Sequence, residues 1–310
     1  MSQQRTDPPT FTLIVNPIAG NGRCDPLALA RALASRLPGA ELLITERRGH
    51  ARELAASHCA RDDHVVVAIG GDGTVHEVGS GLIGGRAALA VLPAGSGNDF
   101  AKMLGISDHP DEAAGLLQTL LPSSCDVGQV LIDHLDGSNS SSYFLNGLGI
   151  GFEAAVASMA ARAGYLRGFS RYLVAALWTL MVYRSPEMTL MVDKQTFAGR
   201  HFLVAIGNGR CAGGSFYLTP QAEIDDGLFD ICRAGPISIP RALWILPSVF
   251  KGRHGRYREV VFDRAAAVTI DIPDGGMVHA DGEVLARQAA HLDVSLLPGA
   301  LKVVRRGGWP

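Results

Sequence analysis

The run Gly70-Gly71-Asp72-Gly73-Thr74 joins an apolar stretch, residues 65–69, to a segment of helical period. Glycines let backbone approach a phosphate closely, and a helix start offers free N–H groups with a partial positive charge. Asp72 is the odd member, because a carboxylate repels phosphate. A bound Mg²⁺, or a hydroxyl to be deprotonated, would resolve the conflict. The alternative is a plain glycine turn with Asp72 as helix N-cap.

Two further loops have related chemistry. Asn16-Pro17-Ile18-Ala19-Gly20-Asn21-Gly22-Arg23 leaves room for a ligand, although taken alone an ordinary strand-to-helix loop is the better reading. Pro93-Ala94-Gly95-Ser96-Gly97-Asn98-Asp99-Phe100 packs a hydroxyl, two glycines and a candidate N-cap behind a strand. Neither the GxGxxG fingerprint nor the GxxxxGK[ST] loop fits any of them, so a nucleotide here needs a different cradle. Asp225-Asp226-Gly227 and Asp281-Gly282-Glu283 are acidic turns, for which solvated hairpin tips are the simple reading. His50, His76 and His279 lack HxxH or HExxH spacing, which argues against a zinc site.

These loops need elements to hold them. Residues 11–17, 41–45, 65–69 and 88–92 are short Val/Ile/Leu-rich runs of the kind found in buried parallel strands. Segments of helical period, 26–37, 51–60 and 74–83, lie between them, and this alternation predicts a doubly wound α/β sheet. Ligands of such sheets sit beyond the carboxyl ends of the strands, where three of the four runs enter glycine-rich turns. From about residue 124 the pattern changes to strands at 127–132, 143–148, 188–192, 202–207, 228–233, 260–262, 268–272 and 292–297. Turns are expected at 138–142 and 274–276, with helical stretches at 153–183 and 238–250. The expected architecture is a flexible tail (1–10), an α/β nucleotide-binding domain (11–124) with 299–310 as its candidate completion, and a β-rich, β-sandwich-like domain (125–298).

The net charge of −2 gives no electrostatic case for nucleic acid. Five scattered cysteines without CxxC spacing read as reduced thiols of a cytosolic protein. The densest apolar stretch, 172–183, is about half of the roughly 20 residues needed to span a bilayer.

Asn16-Pro17…Gly20, Gly70-Gly71-Asp72-Gly73-Thr74, Pro93-Ala94-Gly95-Ser96-Gly97-Asn98-Asp99 and Asp281-Gly282-Glu283 stand in an order that resembles the diacylglycerol-kinase-type lipid kinases, among them YegS-like and sphingosine kinases. Asn146-Gly147…Gly151-Phe152 and Gly207-Asn208-Gly209…Gly213-Gly214 extend the resemblance over nearly the whole chain. It implies an ATP- and Mg²⁺-dependent kinase acting on a lipid hydroxyl, of diacylglycerol or a relative, in lipid metabolism. It also implies a cytoplasmic protein working at the inner membrane surface, with a homodimer as one open arrangement. ATP would lie on Asn16, Pro17, Ile18, Ala19, Gly20, Thr45, Gly71, Asp72, Gly73, Thr74, Val75, His76 and Ser96. Glu283 matches the general base and Asp72 the aspartate tied to the catalytic Mg²⁺. Asp226 matches a structural Mg²⁺ ligand, with main-chain carbonyls of Glu223 and Leu228. His76 replaces the family's usual Asn, and Ser96 a common Thr. An NAD-kinase-like enzyme sharing the GGDGT loop, and a non-catalytic nucleotide- or lipid-sensing module, are the competing readings.

Overall fold

The computed structural model describes residues 9–22, 24–119, 121–162 and 169–306. Most of the expected tail and Arg23 lie outside them. The chain divides into two compact units, residues 1–125 with 299–310, and residues 126–298.

The first unit runs β1 (Thr10–Val15), α1 (Pro26–Ala34), β2 (Glu41–Ile44), α2 (His50–Ala56), β3 (His64–Gly70), α3 (Asp72–Leu82), β4 (Ala88–Pro93), α4 (Asp99–Leu104) and α5 (Pro110–Thr119). β3 is buried along its whole length, which suits its β-branched sequence to the centre of a covered sheet. Strands pair in parallel, with β3 and β2 on either side of β1 and β4 beyond β3. Lys302 and Val303 add a last parallel pairing to Ala88 and Leu89 of β4. α1 begins where Asp25 accepts the N–H groups of Leu27 and Ala28 at 3.0 and 3.2 Å, with Pro26 in the first turn. Helices α4 and α5, short or weakly periodic, are additions to the sequence expectation.

The second unit contains β5 (Ser123–His134, entering from the first unit), β6 (Asn139–Phe144), β7 (Gly147–Gly151), α6 (Phe152–Arg162), α7 (Phe169–Val182), β8 (Glu187–Val192), β9 (Gln195–Arg200), β10 (Leu203–Gly207), β11 (Phe229–Ala234), α8 (Ile239–Val249), β12 (Val260–Ala265), β13 (Ala267–Ala280) and β14 (Glu283–Val303). Its neighbours are antiparallel in the order β12-β11-β10-β7-β13-β14, with β5 on β14 and β6, and β8 on β13 and β9. Strand alternation separates two cores. Ile206 and Ile231 face a cluster with Phe144, Phe229 and Leu292, whereas Ala205 and Cys232 face one with Leu180, Phe202, Ala242 and Ile245.

Several expectations shift here. The strand expected at 143–148 is interrupted after Phe144, and the turn expected at 138–142 falls mostly within β6. Residues 274–276, expected to turn, lie inside β13, where the register shifts between Asp271 and Gly276. Of the helical stretch expected at 153–183, α6 and α7 account for residues 153–162 and 169–182, with 163–168 outside the described residues, and β9 was not expected because its sequence is exposed and polar.

Candidate active site

In the first unit the three glycine-bearing loops are tied to one another. Asn16 donates from Nδ2 to Thr74 Oγ1 at 3.2 Å, and its Oδ1 accepts the Ile18 N–H at 3.1 Å. The Ala94 N–H donates to the Gly70 carbonyl at 2.8 Å. A Cβ at Gly95 would stand 2.4 Å from Gly71 Cα, and one at Gly20 would stand 2.9 Å from the Ala94 carbonyl oxygen. Backbone meets backbone at these positions, so the glycines are consumed by loop-to-loop packing as well as by any room left for a ligand.

Asp72 performs a task that the sequence reading did not assign. The N-cap of α3 is Gly71, and the Asp72 carboxylate reaches across to the next loop. It accepts the N–H of Asn98 at 2.9 Å and of Asp99 at 2.7 Å, the cap and first residue of α4. Its negative charge is thereby balanced by two amides at a helix start. Asp99 lies beside it, and a Cβ at Gly97 would be 2.5 Å from Asp72 Oδ2 and 3.6 Å from Asp99 Oδ2. Asn98 holds φ 53°, and its Oδ1 accepts the Gly95 N–H at 2.9 Å.

The other expected nucleotide contacts border this knot. Ile18 is 86% exposed, and Ser96 is exposed. Thr45 donates its N–H to the Val15 carbonyl at 2.9 Å, which sets it at the end of β2. Thr74 and Val75 are buried, while Pro17, Ala19, Gly73 and His76 are part-exposed. Glu77, which drew no notice as sequence, accepts the N–H groups of Gly49 and Ala51 at 2.8 and 3.2 Å and so caps α2. Its position one residue past His76 was the available signal.

In the second unit Asp281-Gly282 forms a two-residue hairpin turn from β13 to β14, with φ of 48° and 84° at its centre. Positive φ at both central positions is the form that fits the strand twist, and Asp-Gly is a favoured pair for it. Asp281 accepts three N–H groups, from Leu145 at 2.8 Å, Asn146 at 2.9 Å and Gly147 at 3.0 Å. That explains the break between β6 and β7. Glu283 follows, part-exposed and paired in register with Ala280. Behind the turn, His279 is 5% exposed and lies 3.2 Å from Glu153.

Asp226 sits in the turn before β11. Its Oδ1 accepts the Leu228 N–H at 3.1 Å, and its Oδ2 is taken by the Arg264 guanidinium. Arg264 also reaches Asp230 at 3.3 Å. Burial pushes the Asp230 carboxyl above its ordinary value; Arg264 opposes that and Asp226 adds to it. Asp126 holds the loop from the other side, accepting the Gly227 N–H at 2.8 Å. Glu223 is exposed, and its charge also raises the Asp230 carboxyl. The Arg264 guanidinium thus shares the carboxylate on which the expected structural Mg²⁺ depends, while the other expected ligands, the main-chain carbonyls of Glu223 and Leu228, belong to the same turn. Among the described residues no cluster of three or more His, Cys, Asp or Glu side chains forms a metal cage.

The fold is thus a parallel α/β unit with locked glycine loops at its strand ends, followed by a β-sandwich-like unit. Residues 10–130 match the diacylglycerol kinase catalytic domain, and residues 147–305 match the YegS C-terminal NAD kinase beta sandwich-like domain. The chain is 31% identical over 300 residues to a diacylglycerol kinase of Mycobacterium tuberculosis H37Rv, covering 95% of this chain and 94% of that one. It is 33% identical over 288 residues to a Pseudomonas aeruginosa PAO1 protein assigned as a YegS-like lipid kinase, covering 91% and 90%. A solved Bacillus anthracis str. Sterne structure assigned as a diacylglycerol kinase superposes with a TM-score of 0.75 at 26% identity, covering 98% of this chain and 99% of that one. The chain belongs to the diacylglycerol kinase family.

Proposed function

We propose that the protein is an ATP- and Mg²⁺-dependent lipid kinase that transfers the γ-phosphoryl group to a hydroxyl of diacylglycerol or a related lipid, working as a peripheral enzyme at the cytoplasmic membrane surface. The observation that carries the phosphoryl-transfer reading is the knot of three loops around Asp72, in which Asn16, Gly70, Thr74, Ala94 and Gly95 hold one another in place. Family membership carries the lipid acceptor.

In this reading ATP lies along Asn16, Pro17, Ile18, Ala19 and Gly20, with Thr45, the Gly71-to-His76 loop and Ser96 completing the contacts. Backbone amides and the start of α3 favour the phosphates, and the tied loops reduce the entropy lost on binding. Asp72 and Asp99 offer two neighbouring carboxylates of the oxygen chemistry that suits Mg²⁺. When bound, the ion supplies charge neutralisation on the phosphates. Glu283 accepts the proton of the lipid hydroxyl as that oxygen attacks phosphorus, while the bond from the γ-phosphorus to ADP breaks. The hairpin turn anchored by Asp281 holds Glu283 at its place in the strand.

The test is transfer of labelled phosphate from ATP to a panel of lipids and to NAD, with and without chelator. Labelled diacylglycerol or another lipid, lost on chelation, is the expected result. Glu283→Gln is expected to lower turnover by at least ~100-fold, in line with general base catalysis, while nucleotide binding by calorimetry persists. Labelling of NAD alone would overturn the lipid reading, and normal turnover by Glu283→Gln would overturn its assignment as base.

A further inference from the structure

We infer that the outer faces of α7 and α8, with the basic segment that follows α8, form the surface by which the protein docks on an anionic lipid bilayer. The inference rests on the proposed lipid acceptor for its purpose but on separate residues for its evidence.

Both helices are apolar on the side that should be polar. In α7 the inner positions Ala175, Ala176 and Leu180 are buried, yet Val174, Leu177, Trp178, Met181 and Val182 are 48, 40, 61, 73 and 65% exposed. In α8 Ala242, Ile245 and Val249 are buried, while Ile239, Leu243 and Trp244 are 42, 45 and 69% exposed, with Pro240 and Pro247 exposed on the same stripe. Spacings of three and four residues make each a continuous stripe along the helix. Leu180 and the inner residues of α8 join one core cluster against the same sheet, so both outer stripes belong to one side of the second unit.

Charge selects the occupant. The chain carries a net charge of −2, yet there is no Asp or Glu between Glu153 and Glu187, or between Asp230 and Glu259. These two stretches contain α7 and α8. After α8 come Lys251, Arg253, Arg256 and Arg258, all exposed. Arg241 and Arg256 both lie over the Tyr257 ring, at 5.1 and 4.8 Å, which fixes that segment against the helix. A cavity of about 340 Å³ at the foot of α8, lined by His201, Arg233, Pro236, Arg258, Glu259 and Val261, continues the mainly basic rim. An apolar face bearing tryptophans, bordered by Lys and Arg and with Glu259 at the rim paired to Arg241 and close to Arg258, matches the acyl boundary and anionic headgroups of a bilayer. A second copy of the same surface would set like charges against each other.

The experiment uses the full chain, sedimented with vesicles of phosphatidylcholine alone or mixed with phosphatidylglycerol, and assayed on vesicle-borne diacylglycerol and on a short-chain diacylglycerol dispersed as monomers. Wild type is expected to partition onto the anionic vesicles and to move Trp fluorescence to shorter wavelength. Removing Arg256 and Arg258 together as Ala is expected to weaken partitioning by about fivefold per residue. Leu243→Ser with Trp244→Ser is expected to weaken it by about tenfold. Turnover of the monomeric lipid should stay unchanged in both variants, which also shows that they fold. Absence of wild-type partitioning, or variants that partition like wild type, would overturn the docking surface even if lipid is phosphorylated. So would a dimer in solution that the Leu243/Trp244 variant dissolves without any vesicle binding. Partitioning lost in the variants when no lipid is phosphorylated would uphold the surface and sink the kinase reading.

Discussion

A carboxylate can be conspicuous in sequence for one reason and work in the fold for another. Asp72 drew attention as a repulsive group in a phosphate loop, and the structure gives it two backbone amides of α4 to hold. Asp72→Asn keeps the size but replaces one acceptor by a donor facing an N–H. We expect a loss of about 1–3 kcal/mol in urea unfolding, together with lowered turnover. Asp72→Ala with unchanged unfolding would remove the structural part of that role. Asp281 is the parallel case. Asp281→Ala strips three N–H groups of their acceptor and is expected to cost about 3 kcal/mol, read from the same unfolding curves. Both residues were visible as members of acidic, glycine-bearing turns. Their partners were not, because Asn98 lies 26 residues from Asp72, and Leu145 lies 136 residues from Asp281. Local spacing cannot report such pairs.

Among elements, the parallel strands of the first unit were readable because burial on both faces writes itself as an unbroken Val/Ile/Leu run, as in β3. β6 was misplaced for the opposite reason: its Asn-Ser-Ser-Ser sequence reads as a turn, and only pairing with β5 makes it a strand. The close packing of the glycine loops was likewise beyond the sequence, which marks flexibility but not what approaches. Gly95→Ala would force a Cβ to 2.4 Å from Gly71 Cα, so separation of the two loops and loss of nucleotide affinity are expected, measured by calorimetry. At the turn before β11, Arg264 on the neighbouring strand meets Asp226 and Asp230 and supplies the positive charge there. The melting temperature of the wild type should therefore be indifferent to Mg²⁺ or chelator at that turn. Arg264→Ala, which leaves two carboxylates unopposed, should gain a Mg²⁺-dependent rise. A wild-type melting temperature that tracks Mg²⁺ without nucleotide, equally in Asp72→Asn, would restore the ion to Asp226.

Across the whole molecule, the α/β class and the β-rich second half followed from strand and helix periodicity; of the long strand β14, residues 292–297 and the return at 299–310 were read, but not its continuity through Gly299 at positive φ. Acid should destabilise the fold in a defined window. Burial lowers the pKa of His64 to about 4 and also lowers those of His201 and His254. Each stays neutral in the fold while its unfolded counterpart takes up a proton. The contribution of His64 is intact above the ordinary value of 6.5 and is lost as pH falls toward about 4, by up to about 1.4 kcal/mol per pH unit, and His201 and His254 act in the same direction. Melting temperatures across that interval should fall, and His64→Gln, keeping partners in Thr10 and Thr12, should flatten part of the slope. The return of the chain to β4 has a further meaning for biosynthesis. Leu301, Val303 and Val304 are fully buried against the first unit's sheet, and the Val304 N–H donates to Leu89 at 2.8 Å. A ribosome delivers these residues only after the entire second unit has emerged. Until then the nascent first unit exposes one side of β4 as an unfinished edge, so its maturation must wait for translation of the segment that seals it.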